Sequence, residues 1–235
     1  MGNNYPAPPI VCPVMLQRWH EISFFHWSCD PALLQPRLPP GLRIDTYDDK
    51  AWIGLTPFLL TALRPPRFPQ AFGLTFPEMN LRTYAVGPDG PGVWFFSLDA
   101  ARIVAVLGGR ASYGLPYYWS DMRVDIAANE NFYFSSRGGA AKAKIRIAKE
   151  VAITEQSSLE IFLTARFRLY STLRKRLITA EVSHAPWELN RVRTIHFEES
   201  IRQAMRLDFP SQDFLAYHSR GVDTKIGRPR FVTKA

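Results

Sequence analysis

The chain has 235 residues, 46% hydrophobic and 21% charged, a balance that supports a full buried core and excludes disorder and collagen-like repeats. Lys and Arg number 29 against 21 Asp and Glu, a formal net charge of +8 spread along the chain rather than gathered into a nucleic-acid-binding block. No stretch approaches the roughly 18 consecutive apolar residues of a membrane helix, and Met1 to Pro6 has neither the basic nor the apolar region of a signal peptide, so a cytoplasmic protein without a membrane partner is expected.

In chain order, the aromatic run Arg18 to Trp27 predicts a first strand. Asp30 with Pro31 predicts a short capped helix to Leu34. Pro39-Pro40-Gly41 predicts a turn, Leu42 to Thr46 a strand, Tyr47 to Lys50 a hairpin tip, and Ala51 to Leu60 a returning strand. Thr75 to Val86 predicts a strand, and Gly87 to Gly92 a turn into a short strand at Val93 to Phe96. A helix is expected from Ala100 to Leu107, capped by Ser97 or Asp99 and ended by Gly108-Gly109. Strands follow at Met122 to Ile126, Asn131 to Ser136, Ala143 to Ala148, Leu159 to Tyr170 and Leu177 to Ser183, with a helix at Glu198 to Leu207. Arg174-Lys175-Arg176 forms one basic cluster. The tail with Lys225, Arg228, Arg230 and Lys234 forms another and reads as a mobile end. The expected architecture is a mainly β (α+β) protein in one domain, residues 1–235, with a few helices.

The two cysteines, Cys12 and Cys29, have no CxxC partner and are expected to be reduced thiols. Motifs for dinucleotides, P-loop phosphates, nucleophile elbows, HExxH zinc and EF-hand calcium are absent, so no cofactor and no metal is implied. No helix-turn-helix, zinc-finger or RNA-binding signature supports a nucleic-acid partner.

Three patterns carry candidate chemistry. In Phe76 to Tyr84 the alternation of a strand puts Glu78, Asn80, Arg82 and Tyr84 on one face, with Leu81 and Thr83 on the other. Such a row is either a solvated face or, given the flanking Phe72, Phe76 and Trp94, the polar wall of a ligand pocket in a closed barrel. The bend at Gly114 and Pro116 gathers Tyr113, Tyr117, Tyr118 and Trp119 as a core cluster or a pocket wall. Arg166, Arg168 and Tyr170 alternate with apolar residues and can bind a carboxylate if they face inward. His184, before Pro186-Trp187, reads as structural rather than catalytic.

Several segments in fixed order resemble the YqjF-like proteins, a domain of unknown function within the acetoacetate decarboxylase superfamily. They are Phe25-His26-Trp27 with Asp30-Pro31, Leu38-Pro39-Pro40-Gly41-Leu42, Asp45-Thr46, Glu78 to Tyr84, Gly92 to Asp99, Leu115-Pro116-Tyr117 and His184 to Trp187. Together they span about residues 15 to 228. The resemblance implies a bent antiparallel sheet closed into a cone-shaped barrel around a ligand cavity, and a homodimer or higher homo-oligomer.

The decarboxylase forms a Schiff base through a lysine after a Gly-aromatic-Pro turn, and a second lysine beside it lowers the amine pKa. The matching turn here is Gly114-Leu115-Pro116, and the two lysine positions read Tyr117 and Tyr118. A phenol cannot form an imine, so the resemblance implies a relative that is not an acetoacetate decarboxylase. The expectation is a barrel binding a small anionic or carbonyl-bearing organic molecule. Asn80, Arg82, Tyr84, Tyr118 and Arg166 supply polar contacts, and Glu78 and Tyr117 are the catalytic candidates. If a reaction occurs, it is a cofactor-free lyase or isomerase step through Glu78; the rival reading is a non-catalytic regulatory or nucleic-acid-binding protein.

Overall fold

The computed structural model describes residue 7 and residues 9–207 and 213–233. Its elements, in chain order, begin with strand β1 (Met15–Cys29), helix α1 (Pro31–Leu34), β2 (Arg43–Ile44), β3 (Ala51–Arg64), β4 (Leu74–Gly87) and β5 (Gly90–Ala100). Next come α2 (Ile103–Tyr113), β6 (Tyr117–Trp119), β7 (Asp121–Ile126), β8 (Glu130–Ser136), β9 (Lys142–Ala152) and α3 (Ser158–Thr164). The last are β10 (Arg168–Leu173), β11 (Arg176–His184), β12 (Asn190–Glu199), α4 (Ile201–Ala204), β13 (Leu215–Ile226) and β14 (Arg230–Phe231). Among the described residues no helix is long and apolar enough to cross a membrane.

Seven strands form a ring in the order β11-β10-β5-β4-β3-β1-β13, closed where Val182 to His184 of β11 pairs with Thr224 to Ile226 of β13. Neighbours in the ring are antiparallel except β5 and β10. Beyond β13 the sheet continues as a wing, β12-β9-β8-β7, which folds back over the outside of the ring. Closing a ring this small needs bent strands, and bulges supply the bends. At Glu21 (φ 48°) β1 carries one more residue than β3 opposite it. Gly221 faces this bulge at φ 116°, where an added Cβ would meet the Trp19 carbonyl oxygen at 1.9 Å, so only glycine fits. A second bulge, where the pairing of β4 and β5 slips between Leu81 and Arg82, turns Val93, Phe95 and Leu98 inward and leaves Ser97 and Asp99 facing the wing.

β4 is therefore covered on both faces, which is why Glu78 to Ala85 are all buried. Met79 and Leu81 join Phe25, Trp27, Ile53 and Leu55 in the core between ring and wing, against Tyr133, Ile145 and Ile147. Phe76 faces the ring interior with Phe24, Phe58 and Trp187.

The expected strands other than Leu159 to Tyr170, and the Asp30-capped helix, are present, the Asp30 carboxylate accepting from the Ala32 N–H at 2.8 Å. Four expectations are corrected. The helix after β5 starts at Ile103 and runs through Gly108-Gly109 to Gly114, whose left-handed φ of 58° ends it; Ser97 and Asp99 are not its caps because both bind Arg137. Residues 158–164 are helix rather than strand, since Ser157 and Glu160 form a capping box that satisfies the free N–H groups of the first turn. The helix at Glu198 to Leu207 shrinks to α4, because Glu198 and Glu199 still pair with β9. The tail is not a loose end: Lys225 lies in β13, the strand that closes the ring, and Arg230 in β14 binds Asp89 at 2.8 Å. Lys234 lies outside the described residues. Cys12 and Cys29 are unpaired.

Candidate functional site

A cavity of about 120 Å³ lies inside the ring. A cavity of roughly 150 Å³ holds a benzene-sized molecule, so the space suits a ligand of about half a dozen heavy atoms. Trp19, Phe58, Phe76, Phe95 and Trp187 supply much of its apolar wall. Its polar side is the row on β4: Glu78, Asn80 and Arg82 line it and are only 3%, 7% and 9% exposed. The alternation of β4 brings these three to one face at a spacing of about 7 Å per pair of residues.

The Tyr117 hydroxyl, carried by β6 into register beside Leu98, donates to Glu78 Oε2 at 3.1 Å. The Asn80 side chain lies next to that of Glu78 on the same face of β4. Burial pushes the Glu78 pKa up to about 7; the polar Tyr117 and Asn80 side chains beside it oppose that rise and the charge of Asp99 adds to it. Burial and the neighbouring Glu78 push the Tyr117 phenol well above its ordinary value, so it stays a donor.

Two atoms of this row have no partner although both are buried: Asn80 Oδ1 and Arg82 Nε. Burial lowers the Arg82 pKa, yet a guanidinium stays charged. Arg82 has no ion pair among the described residues, in contrast to its neighbours on the cavity wall. Arg166 binds Asp45 at 2.6 Å and Arg168 approaches Glu181 at 3.6 Å.

Two expected contacts are corrected. Tyr84 shares the parity of Glu78 but lies beyond the cavity. Its hydroxyl donates to the Leu163 carbonyl at 2.6 Å and so accepts from His26 Nε2 at 2.8 Å. Burial, then the charge of Arg82, holds the His26 pKa well below its usual value, so His26 is neutral. Tyr118 points the opposite way from Tyr117, as successive strand residues must, and its ring lies under Arg137 with Cζ 4.0 Å from the centroid. Of the expected aromatic walls, Phe76 is in place; Phe72 is exposed and Trp94 packs on the outer side of β5.

The pattern on β4 did not reach Thr56 and Phe58, which line the cavity from β3, or Trp19, Thr164, His184 and Trp187. The first two carry a signal of their own, the alternation Thr56, Phe58, Leu60. Burial lowers the His184 pKa to about 4, and its Nδ1 lies 2.7 Å from the Ala185 carbonyl, a packed neutral imidazole. Among the described residues no group of three or more His, Cys, Asp or Glu side chains is placed to hold a metal ion.

The DUF2071 family, described as an uncharacterized conserved protein, matches residues 16–223. The chain belongs to that family. A curated relative, the uncharacterized protein YqjF of Bacillus subtilis (strain 168), is 35% identical over 215 residues, covering 89% of each chain. Among solved structures, the enduracididine biosynthesis enzyme MppR complexed with pyruvate is similar at a TM-score of 0.69 and 13% identity, over 99% of this chain and 98% of that one. The acetoacetate decarboxylase of Legionella pneumophila is similar at 0.67 and 14%, over 98% and 90%. At these identities the likeness establishes the fold: this DUF2071 protein has the acetoacetate decarboxylase-like architecture.

Proposed function

We propose that the chain binds a small organic carboxylate inside the ring, with the ligand's anion on Arg82 and its reactive carbon near Glu78 and Tyr117. One observation carries this reading: a buried guanidinium with an unpartnered Nε and no ion pair among the described residues, in a cavity of small-molecule size. Leaving a buried charge uncompensated costs several kcal/mol, and an anionic ligand removes that cost. Burial raises the Glu78 pKa to about 7, so it carries less competing negative charge than an ordinary carboxylate. That a structural neighbour is complexed with pyruvate fits the same size and charge.

Schiff-base chemistry is not part of the reading. None of the described residues lining the cavity is a lysine, and the nearest equivalent of the decarboxylase lysines, Tyr117, is a phenol. Calorimetric titration with acetate, pyruvate and acetoacetate tests the proposal. Millimolar or tighter binding that weakens at least tenfold in Arg82→Gln is expected; an unchanged affinity in that variant rejects it. Borohydride added with pyruvate is expected to leave the protein mass unchanged.

A second reading adds catalysis. Glu78 has the pKa of a general acid or base working at neutral pH, and Tyr117 is a hydrogen-bonded donor beside it. Together they suit cofactor-free enolisation or dehydration of a bound carbonyl compound. Deuterium exchange at the carbon next to the ligand carbonyl, lost in Glu78→Gln, is the outcome this reading requires.

A further inference from the structure

The polar row on β4 contains a demand that a simple oxo acid leaves unmet. Asn80 Oδ1 is a buried acceptor without a partner, on the same face of β4 as Glu78. An unsatisfied buried acceptor costs about 1–3 kcal/mol, so the site favours a ligand that brings a proton to it. Tyr117 already donates to Glu78 Oε2, and Thr56, the cavity residue paired with Asn80 across β3 and β4, directs its hydroxyl at the Asn80 backbone carbonyl, 3.4 Å away. Nothing among these neighbours supplies a donor to Oδ1. Two residues along the strand, Arg82 Nε is a buried donor in search of an acceptor. The two residues are two apart on β4, about 7 Å along the strand backbone, and both side chains face the one small cavity.

We infer that the cavity is built for a small hydroxy acid, its carboxylate on Arg82 and its hydroxyl donating to Asn80 Oδ1. A hydroxyl can accept from one neighbour while donating to another; a ketone oxygen has no proton and leaves Oδ1 bare. A protonated Glu78 can donate to the same hydroxyl, so one oxygen serves both groups. The cavity of about 120 Å³ limits the ligand to a short chain. A site organised to hydrogen-bond a ligand hydroxyl discriminates strongly against the analogue without one, because its own polar groups are then left unpaired.

This inference rests on the carboxylate-binding reading, and the experiment separates the two. The full chain is titrated calorimetrically with matched pairs: D- and L-lactate against pyruvate, and D- and L-3-hydroxybutyrate against acetoacetate. At least one hydroxy acid is expected to bind about tenfold or more tightly than its oxo partner. In Asn80→Leu, which keeps the volume and removes the acceptor, that ratio is expected to fall to about one. Oxo acids binding as tightly as hydroxy acids, with the Arg82 dependence intact, overturn the inference and leave the carboxylate reading standing. A hydroxy-acid preference that survives in Asn80→Leu also overturns it. If no acid of either kind binds the wild-type chain, both fail. The comparison within the wild-type protein decides the matter even if the variant folds poorly.

Discussion

Glu78 is the side chain whose environment departs most usefully from the ordinary. A carboxyl of pKa 4.5 in the unfolded chain and about 7 in the fold is more strongly protonated when folded. The native state therefore holds the extra proton, and the stability this contributes is full below pH 4.5 and lost as pH rises through 7. The shift corresponds to about 3 kcal/mol. His184 works in the opposite direction. Its pKa falls from 6.5 to about 4, so its contribution is present above 6.5 and disappears as pH falls toward 4. The raw pH profile thus mixes both slopes, and the difference between wild type and Glu78→Gln isolates the carboxyl. That variant is expected to gain up to about 3 kcal/mol over wild type at pH 8 and almost nothing of this kind at pH 4.5, by urea denaturation at the two pH values. Equal differences at both would mean that Glu78 ionises as freely in the fold as in water.

Helix α2 shows how much a local pattern reveals and where it stops. Two adjacent glycines look like a helix end, and the sequence predicts one at Gly108-Gly109; the helix instead passes through both. The reason is a contact that no local rule contains: a Cβ on Gly109 would sit 2.5 Å from Tyr117 Cε2, so glycine there makes room for the ring that reaches Glu78. Gly108 has nothing within 4 Å. Gly108→Ala is therefore expected to stabilise the protein by about 0.5–1 kcal/mol through helix propensity. Gly109→Ala should lose that gain and weaken ligand binding by displacing Tyr117. Thermal denaturation and titration of both variants check this, and two equally stabilising alanines would remove the steric argument. The other readings divide along the same line. The polar row of β4 was visible because period two is local. Thr56, Trp19, His184 and Trp187 come from strands that only ring closure brings together. Residues 158–164 carry strand-like apolar residues, yet the capping box of Ser157 and Glu160 wins. The sequence predicts no strand at β13 and assigns its Lys225 to a basic tail, because Leu215 to Ile226 mixes polar and apolar residues; each is buried or exposed according to a partner on β1 far away in sequence. The resemblance placed Tyr117 and Tyr118 at one site, but it supplied positions and not directions.

Between ring and wing the backbone connection is thin: β12 and β13 pair at only two positions, Asn190 with His218 and Arg191 with Tyr217. An apolar core fills the space, and two buried polar clusters fix its register. In the first, Glu21 at the β1 bulge binds Lys149 at 2.7 Å, Asn131 at 2.8 Å and His218 at 2.9 Å. Burial alone would raise the Glu21 carboxyl; hydrogen bonds from His218, Lys149 and Asn131 outweigh it and hold the group well below the ordinary carboxylate range. In the second, Arg137, from the loop after β8, donates to Asp99 at 2.6 Å and to Ser97 at 2.7 Å, while Ser135 donates to the other Asp99 oxygen at 2.6 Å. Breaking a buried pair from one side leaves a charge stranded, so Arg137→Met is expected to destabilise by about 3–5 kcal/mol. Adding Asp99→Asn should restore more than half of that, because the stranded charge is then gone; urea denaturation of the four proteins in a double-mutant cycle measures it. The same pair reaches the cavity, since the charge of Asp99 already raises the Glu78 pKa. Stripping Arg137 away unmasks that charge, so the Glu78-dependent loss of stability should move to higher pH in Arg137→Met than in wild type. A pH step that stays in place while the protein is destabilised would show that the second cluster holds the wing without tuning the acid on the other side of the wall.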